Sequence, residues 1–131
     1  MIGRRAVVLR VVTPDVVEQY CALTGDTDPL HVDAAFAATT QYRERIAPGA
    51  LVVGYMMAAA AAATGNLGVA VPSLGFDRLR HTAAVLIGDR LRVDYEVVSF
   101  ADGRGHADIT VKNQRDETVA VADHVFRVLE R

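Results

Sequence analysis

The chain has 131 residues, 51% of them hydrophobic and 23% charged, which is enough apolar material for one packed core. Sixteen acidic against fourteen basic residues give a net charge of -2, and with no Trp and only 6% aromatics this argues against a nucleic-acid-binding surface. A single cysteine excludes an internal disulfide and any multi-cysteine metal site. These features describe an ordinary cytosolic, single-domain chain.

The first ten residues carry Arg4 and Arg5, but the apolar run behind them is broken by Arg10, Pro14 and Asp15, so no targeting segment is expected. Ala6 to Val12 is rich in β-branched residues and predicts a strand. Thr13, Pro14 and Asp15 supply a capping hydroxyl, a first-turn proline and a first-turn acid, a helix start. Val16, Val17, Tyr20 and Leu23 follow at helical spacing, and Gly25 ends the element. Gly25 to Pro29 reads as a loop, and Asp33 as the cap of a short helix over Ala34 to Thr40 with Phe36 and Ala37 turned inward.

Pro48 and Gly49 open a long apolar helix that stops near Gly65 and Asn66. Its apolar stretch, Ala50 to Ala63, is shorter than the ~20 residues a bilayer requires, so it predicts a fully buried helix. Gly68 to Ser73 is a connector. From Leu74 the period switches to two. Leu91, Val93, Tyr95 and Val97 alternate with polar residues, as do Ala107, Ile109 and Val111. Thr118 to Leu129 is a further strand, with turns at Asp102 to Gly105 and Arg115 to Glu117. Successive strands joined by short turns imply an antiparallel sheet, and a helix apolar all round must be covered on several sides. The expected class is α+β, a curved antiparallel sheet wrapped around one long helix.

Two segments carry candidate chemistry. Thr24 to His31 brings Asp26, Asp28 and His31 within six positions, and a carboxylate beside an imidazole can move protons on and off one water. The same residues also fit a plain turn, since Asp is common next to Gly and Pro and an acid near a His is often only a surface pair. The second segment is Ile46 to Leu51. Its helix start presents unpaired amides and a partial positive charge, which would let the Gly49 amide polarise a carbonyl oxygen. Plain packing explains Pro48 well and the glycine, a poor helix former, less well.

In this order the segments resemble the MaoC-like, or (R)-specific enoyl-CoA hydratase, family of the hotdog fold. The family pattern Gly-Asp-x-Asn-Pro-x-His-x-Asp stands here as GDTDPLHVD (Gly25 to Asp33), its Ile-Ala-His-Gly helix start as IAPGAL (Ile46 to Leu51), and its Leu-Arg-Phe-x-x-Pro-Val-x-x-Gly-Asp segment as LRHTAAVLIGD (Leu79 to Asp89). The likeness runs from about Pro14 to the C-terminus, and the Gly-Asp-x-x-Pro-x-His core is its specific part. The family's Asn is Asp28 here, its His before the helix glycine is Pro48, its helix Ser is Met57, and its Phe and Pro become His81 and Ala84. Asp28 would add a carboxylate near His31 and favour its charged form.

The resemblance implies a single hotdog domain over 1–131 that adds water to trans-2-enoyl thioesters or removes it from (R)-3-hydroxyacyl thioesters. Asp26 and His31 would activate the water, and the Gly49 amide would hold the thioester oxygen. Substrate contacts are expected from Asp28, Pro48, Val53, Met57 and Arg43, with Met56 beside them along an acyl tunnel and Arg45 beside Arg43 as a phosphate partner. For most of the tunnel candidates plain core packing is the simpler expectation. The thioester would be carried by coenzyme A or by an acyl carrier protein. No metal or organic cofactor is implied, a homodimer is expected, and no nucleic acid or membrane partner is. His106 and His124 are expected at the surface or in strand pairing, and Cys21 as a small buried hydrophobe. A thioesterase would need an acid on or beside the long helix, and Ala50 to Ala63 has none. A non-catalytic acyl-binding partner subunit would be expected to have lost the acid or the histidine, and both are present.

Overall fold

The computed structural model describes residues 1–130. Five strands form one antiparallel sheet: β1 (Arg5–Val11), β2 (Ser73–His81), β3 (Arg90–Ala101), β4 (Arg104–Lys112) and β5 (Thr118–Arg127), in the order β1-β3-β4-β5-β2. Four helices accompany them: α1 (Pro14–Thr24), α2 (Pro29–Val32), α3 (Ala34–Ala38) and α4 (Gly49–Thr64). The class is the expected α+β, with α4 lying against β1 and β3 on the inner face of the sheet.

Period-two alternation builds that inner face. Leu91, Val93, Tyr95 and Val97 of β3 point inward and are buried, and in the β4 register Val93 meets Val111, Tyr95 meets Ile109 and Val97 meets Ala107. Arg92, Asp94 and Glu96 take the opposite face, where Arg5 pairs with Glu96 and Arg92 with Asp94. Val98 falls on that outer face by the same alternation and is exposed, and the β3–β4 register shift between Val97 and Ser99 then ends the alternation. Edge strand β2 is the least regular, with Gly75 and Arg78 at positive φ and two breaks in its pairing with β5.

The α1 boundaries follow the sequence signals. Thr13 Oγ1 accepts from the Val16 amide, Pro14 occupies the first turn, and Gly25 closes the helix at φ 78° with its N–H on Cys21 O. Val17 and Cys21 are buried, whereas Leu23 is 86% exposed although it sits at helical spacing. Asp33 caps α3 through the Phe36 amide, but this helix ends at Ala38 and only Ala37 is buried; Phe36, expected inward, is 45% exposed. Phe36 lies about 100° around the helix from Ala37, so the face that buries Ala37 leaves the Phe36 ring toward solvent.

The long helix also departs from expectation. Val52, Met56, Ala59, Ala60 and Ala63 are buried, while Ala50, Gly54, Ala61 and Ala62 remain exposed, so α4 is covered on one side rather than all round. Every exposed position carries alanine or glycine, which gave the sequence no polar stripe to mark that side. None of the described helices is long and apolar enough to cross a membrane.

Candidate active site

Chain geometry around Gly25 sets the first half of the site. Its left-handed conformation turns the chain out of α1, and a short polar ladder then fixes the loop. Thr24 Oγ1 accepts from the Asp26 amide at 3.2 Å, Asp26 Oδ1 from the Asp28 amide at 3.4 Å, and Asp28 Oδ1 from the Leu30 amide at 2.9 Å. Asp28 is thereby the N-cap of α2, with Pro29 behind it, and its exposed carboxylate is engaged in capping rather than with His31.

His31 lies in the four-residue α2, and Ile46, fifteen residues on, holds its ring: Nδ1 is 2.8 Å from Ile46 O. A carbonyl oxygen only accepts, so Nδ1 carries the hydrogen and the neutral ring presents its lone pair on Nε2. Nε2 faces Asp26 Oδ2 at 3.9 Å, too far for a direct hydrogen bond. A water oxygen about 2.8 Å from each would subtend about 90° there, and widening the gap to about 4.5 Å makes that angle tetrahedral. The His31 side chain is 14% exposed and that of Asp26 39%, so the pair is half enclosed yet open to water.

The second half is the start of α4. Ala47 N donates to Val85 O at 2.7 Å and Ile46 bridges to Leu86, which ties the lead-in of α4 to the segment between β2 and β3. That segment is held in turn by Asp89. Only 3% exposed, Asp89 accepts from the Leu86 amide and from Gln114 Nε2, while Gly88 at φ 99° donates to Val12 O. Pro48 is the buried N-cap residue of α4 and offers no side-chain acceptor, so the Gly49 and Ala50 amides at the positive helix end have no intrahelical partner.

Between these halves lies a pocket of about 450 Å³. Its polar residues include His31, Tyr42 and His81, Gly49 also lines it, and Val52 and Val85 are among its apolar residues. Val52, rather than Val53 or Met57, is the α4 side chain that lines it; those two are half-buried along the helix, and Met56 is fully buried in the core. Arg43, at φ 65° in the turn after α3, is exposed next to Tyr42 on the rim, and Arg45 is half-buried nearby. His31 and Gly49 thus line one pocket and Asp26 stands behind His31 at 3.9 Å, while Asp26, Asp28, Val53 and Met57 are not among its lining residues.

Residues 3–119 match the MaoC-like domain family. The chain belongs to the MaoC-like family. It is 30% identical over 100 residues to an (R)-specific enoyl-CoA hydratase of Aeromonas caviae, an alignment spanning 73% of this chain and 69% of that enzyme. It is 29% identical over 110 residues to a 3-hydroxybutyryl-CoA dehydratase of Methylorubrum extorquens, spanning 81% of this chain and 66% of the relative. Its fold superposes on an unliganded R-hydratase of Pseudomonas aeruginosa with a TM-score of 0.85 at 33% identity, covering 100% of this chain and 83% of that one. The sheet wrapped on α4 is therefore a MaoC-like hotdog fold.

Two contributors to this MaoC-like site were marked in the sequence only by the family pattern over Leu79 to Asp89, with no role attached. Asp89 holds the pocket wall by accepting from the Leu86 amide, and Val85 lines that wall from the segment between β2 and β3. Away from the pocket, His124 takes the second of its two expected places: it pairs with Ala107 of β4 and Phe76 of β2 and is not at the surface. It is 2% exposed on the inner face, with Nδ1 2.8 Å from Tyr95 Oη and Nε2 2.8 Å from Ser73 Oγ. Burial lowers its pKa to about 4 and pushes the Tyr95 hydroxyl well above its ordinary value. Cys21 is buried as expected, and burial raises its thiol pKa. No three His, Cys, Asp or Glu side chains converge into a metal site among the described residues.

Proposed function

We propose that this chain is a hydro-lyase on acyl thioesters, hydrating trans-2-enoyl thioesters or dehydrating (R)-3-hydroxyacyl thioesters as one hotdog unit over 1–131. The observation that carries this reading is the His31 ring, held through Nδ1 by Ile46 O with Nε2 turned to Asp26 at 3.9 Å beside the free amides of α4. The names of the relatives from Aeromonas caviae and Methylorubrum extorquens support coenzyme A as the carrier.

In the hydration direction a water donates one hydrogen to the Nε2 lone pair and the other to the Asp26 carboxylate, which leaves an oxygen lone pair aimed at C3. The oxygen–C3 bond forms, Nε2 takes the proton, and the C2–C3 π pair moves to make an enolate on the thioester oxygen. Asp26 orients the water and stabilises the resulting imidazolium. The Gly49 amide, at the positive end of α4, holds the enolate oxygen. The imidazolium N–H then protonates C2 on the same face, and His31 returns to its starting form with one water added. Arg43 on the rim is the proposed partner for carrier phosphates. The open Ala50, Gly54, Ala61 and Ala62 side of α4 supports a homodimer, since small residues allow close approach by a second copy.

The test follows loss of the conjugated enoyl absorbance of crotonyl-CoA and longer enoyl-CoA thioesters. Hydration to the (R)-alcohol by the wild type, reduced at least ~10²-fold in Asp26→Asn and His31→Ala, is the expected result. Silence on every coenzyme A thioester, with the protein folded, overturns coenzyme A as carrier and leaves pantetheine-armed carrier protein as the next substrate.

A further inference from the structure

His81 ends β2 and sets its imidazole across the first residue of α4. A Cβ built on Gly49 would lie 2.7 Å from His81 Nε2, 3.0 Å from Cε1 and 3.2 Å from Cδ2. An amide nitrogen stands about 2.5 Å from its own residue's Cβ position, so Nε2 and the Gly49 nitrogen are at most about 5.2 Å apart. One oxygen accepting at about 2.9 Å from each of two donors can span nitrogens up to about 5.8 Å apart. Both residues line the pocket that holds His31. Neither the exposed His81 ring nor the Gly49 amide has a hydrogen-bond partner among the described residues.

We propose that His81 is a second oxyanion donor, its Nε2–H sharing the substrate thioester oxygen with the Gly49 amide. This rests on the hydro-lyase reading. Proton transfer at C2 and C3 already has its base in His31, whereas the thioester oxygen gains charge in the transition state and draws on donors at the other wall. A bound thioester covers the open side of the ring and excludes the water that would otherwise weaken the bond. Glycine at position 49 leaves room for the His81 ring, which any side chain there would displace.

His81→Phe keeps a ring of similar bulk and removes the donor, and His81→Gln returns an N–H near the Nε2 position. Removing one oxyanion donor costs on the order of 10²–10³ in kcat at an enclosed site. At this open position His81→Phe is expected to lower kcat about 10- to 100-fold with KM within about threefold, and His81→Gln to recover most of it. A ring that only packs would give the reverse, with Phe tolerated and Gln no better. Binding is read separately, using [1-13C]crotonyl-CoA on Asp26→Asn protein. The carbonyl resonance is expected downfield of free ligand and is expected to return toward it in Asp26→Asn/His81→Phe. Unchanged kcat in His81→Phe, or a bound carbonyl resonance insensitive to His81, overturns the proposal. If the wild type hydrates no thioester, the hydro-lyase reading falls and the carbonyl resonance alone decides the role of His81. Absence of any bound signal then overturns both.

Discussion

Gly49→Ala separates the chemistry of the pocket from the stability of the fold. Gly49 is the first residue of α4 and does not have a positive φ, so alanine fits its backbone. Alanine is the better helix former by up to about 1 kcal/mol, and less at a helix end. Against this, the new Cβ stands 2.7 Å from His81 Nε2, and the ring must withdraw by roughly 0.7 Å to reach ordinary van der Waals distance. The ring is exposed and unpartnered, so it can swing aside at a rotamer cost of about 0.5–1.5 kcal/mol. The two effects nearly cancel. At about 2.1 cal/mol/K per residue of unfolding entropy, 1 kcal/mol in a chain of this length moves Tm by about 4 °C, so the expected shift is within about 4 °C of wild type. Activity behaves differently. The methyl group occupies the approach to the amide and expels the His81 donor, and kcat/KM on crotonyl-CoA is expected to fall on the order of 10²-fold or more. Circular-dichroism melting and the enoyl absorbance assay, run on the same preparation, read both. A variant that retains activity within threefold would show that the thioester oxygen is not held at this end of α4. A Tm loss of 10 °C or more would show that His81 is pinned by forces that its lack of partners does not reveal.

Three further outcomes test the surroundings. Gly105 faces Phe126 across the β4–β5 pair, and a Cβ there would come within 2.8 Å of Cε1 and closer still to two other ring atoms, so Gly105→Ala is expected to lose about 1–3 kcal/mol by overpacking, read as a lower urea midpoint at unchanged m. Burial lowers the His124 pKa from 6.5 to about 4, so the unfolded chain takes up the proton first as pH falls. Stability from this group is full above about pH 6.5 and is lost on descending toward pH 4, by up to about 3 kcal/mol. His124→Gln should flatten the pH 7 to pH 4.5 difference in urea midpoint, and an equal difference in both proteins refutes the assignment. Thr13→Ala removes the side-chain acceptor for the Val16 amide and should cost about 1 kcal/mol, a Tm loss near 4 °C, with the site chemistry intact.

Local order was legible in the sequence because short-range forces set it. Thr13, Pro14 and Gly25 bracket α1 through groups within a turn of one another, and alternation along β3 and β4 assigns each side chain to a face. The spacing of Asp26 and His31 likewise fell within one loop and the short α2 that it opens into. Contacts between distant segments lay beyond that reach. Which His31 nitrogen is free is decided by Ile46 O, and what stands over Gly49 is decided by His81, 32 positions further on. His124 is buried because Tyr95 and Ser73 offer partners from two other strands, an arrangement that no pattern around residue 124 encodes. The open side of α4 is also a tertiary outcome, since alanine and glycine serve equally well against a sheet, against water or against another helix. Periodicity, caps and turn residues therefore determined the elements and the acid–imidazole pair. The tautomer, the second histidine and the pocket wall were decided by packing, where one carbonyl or one missing Cβ sets which atoms meet.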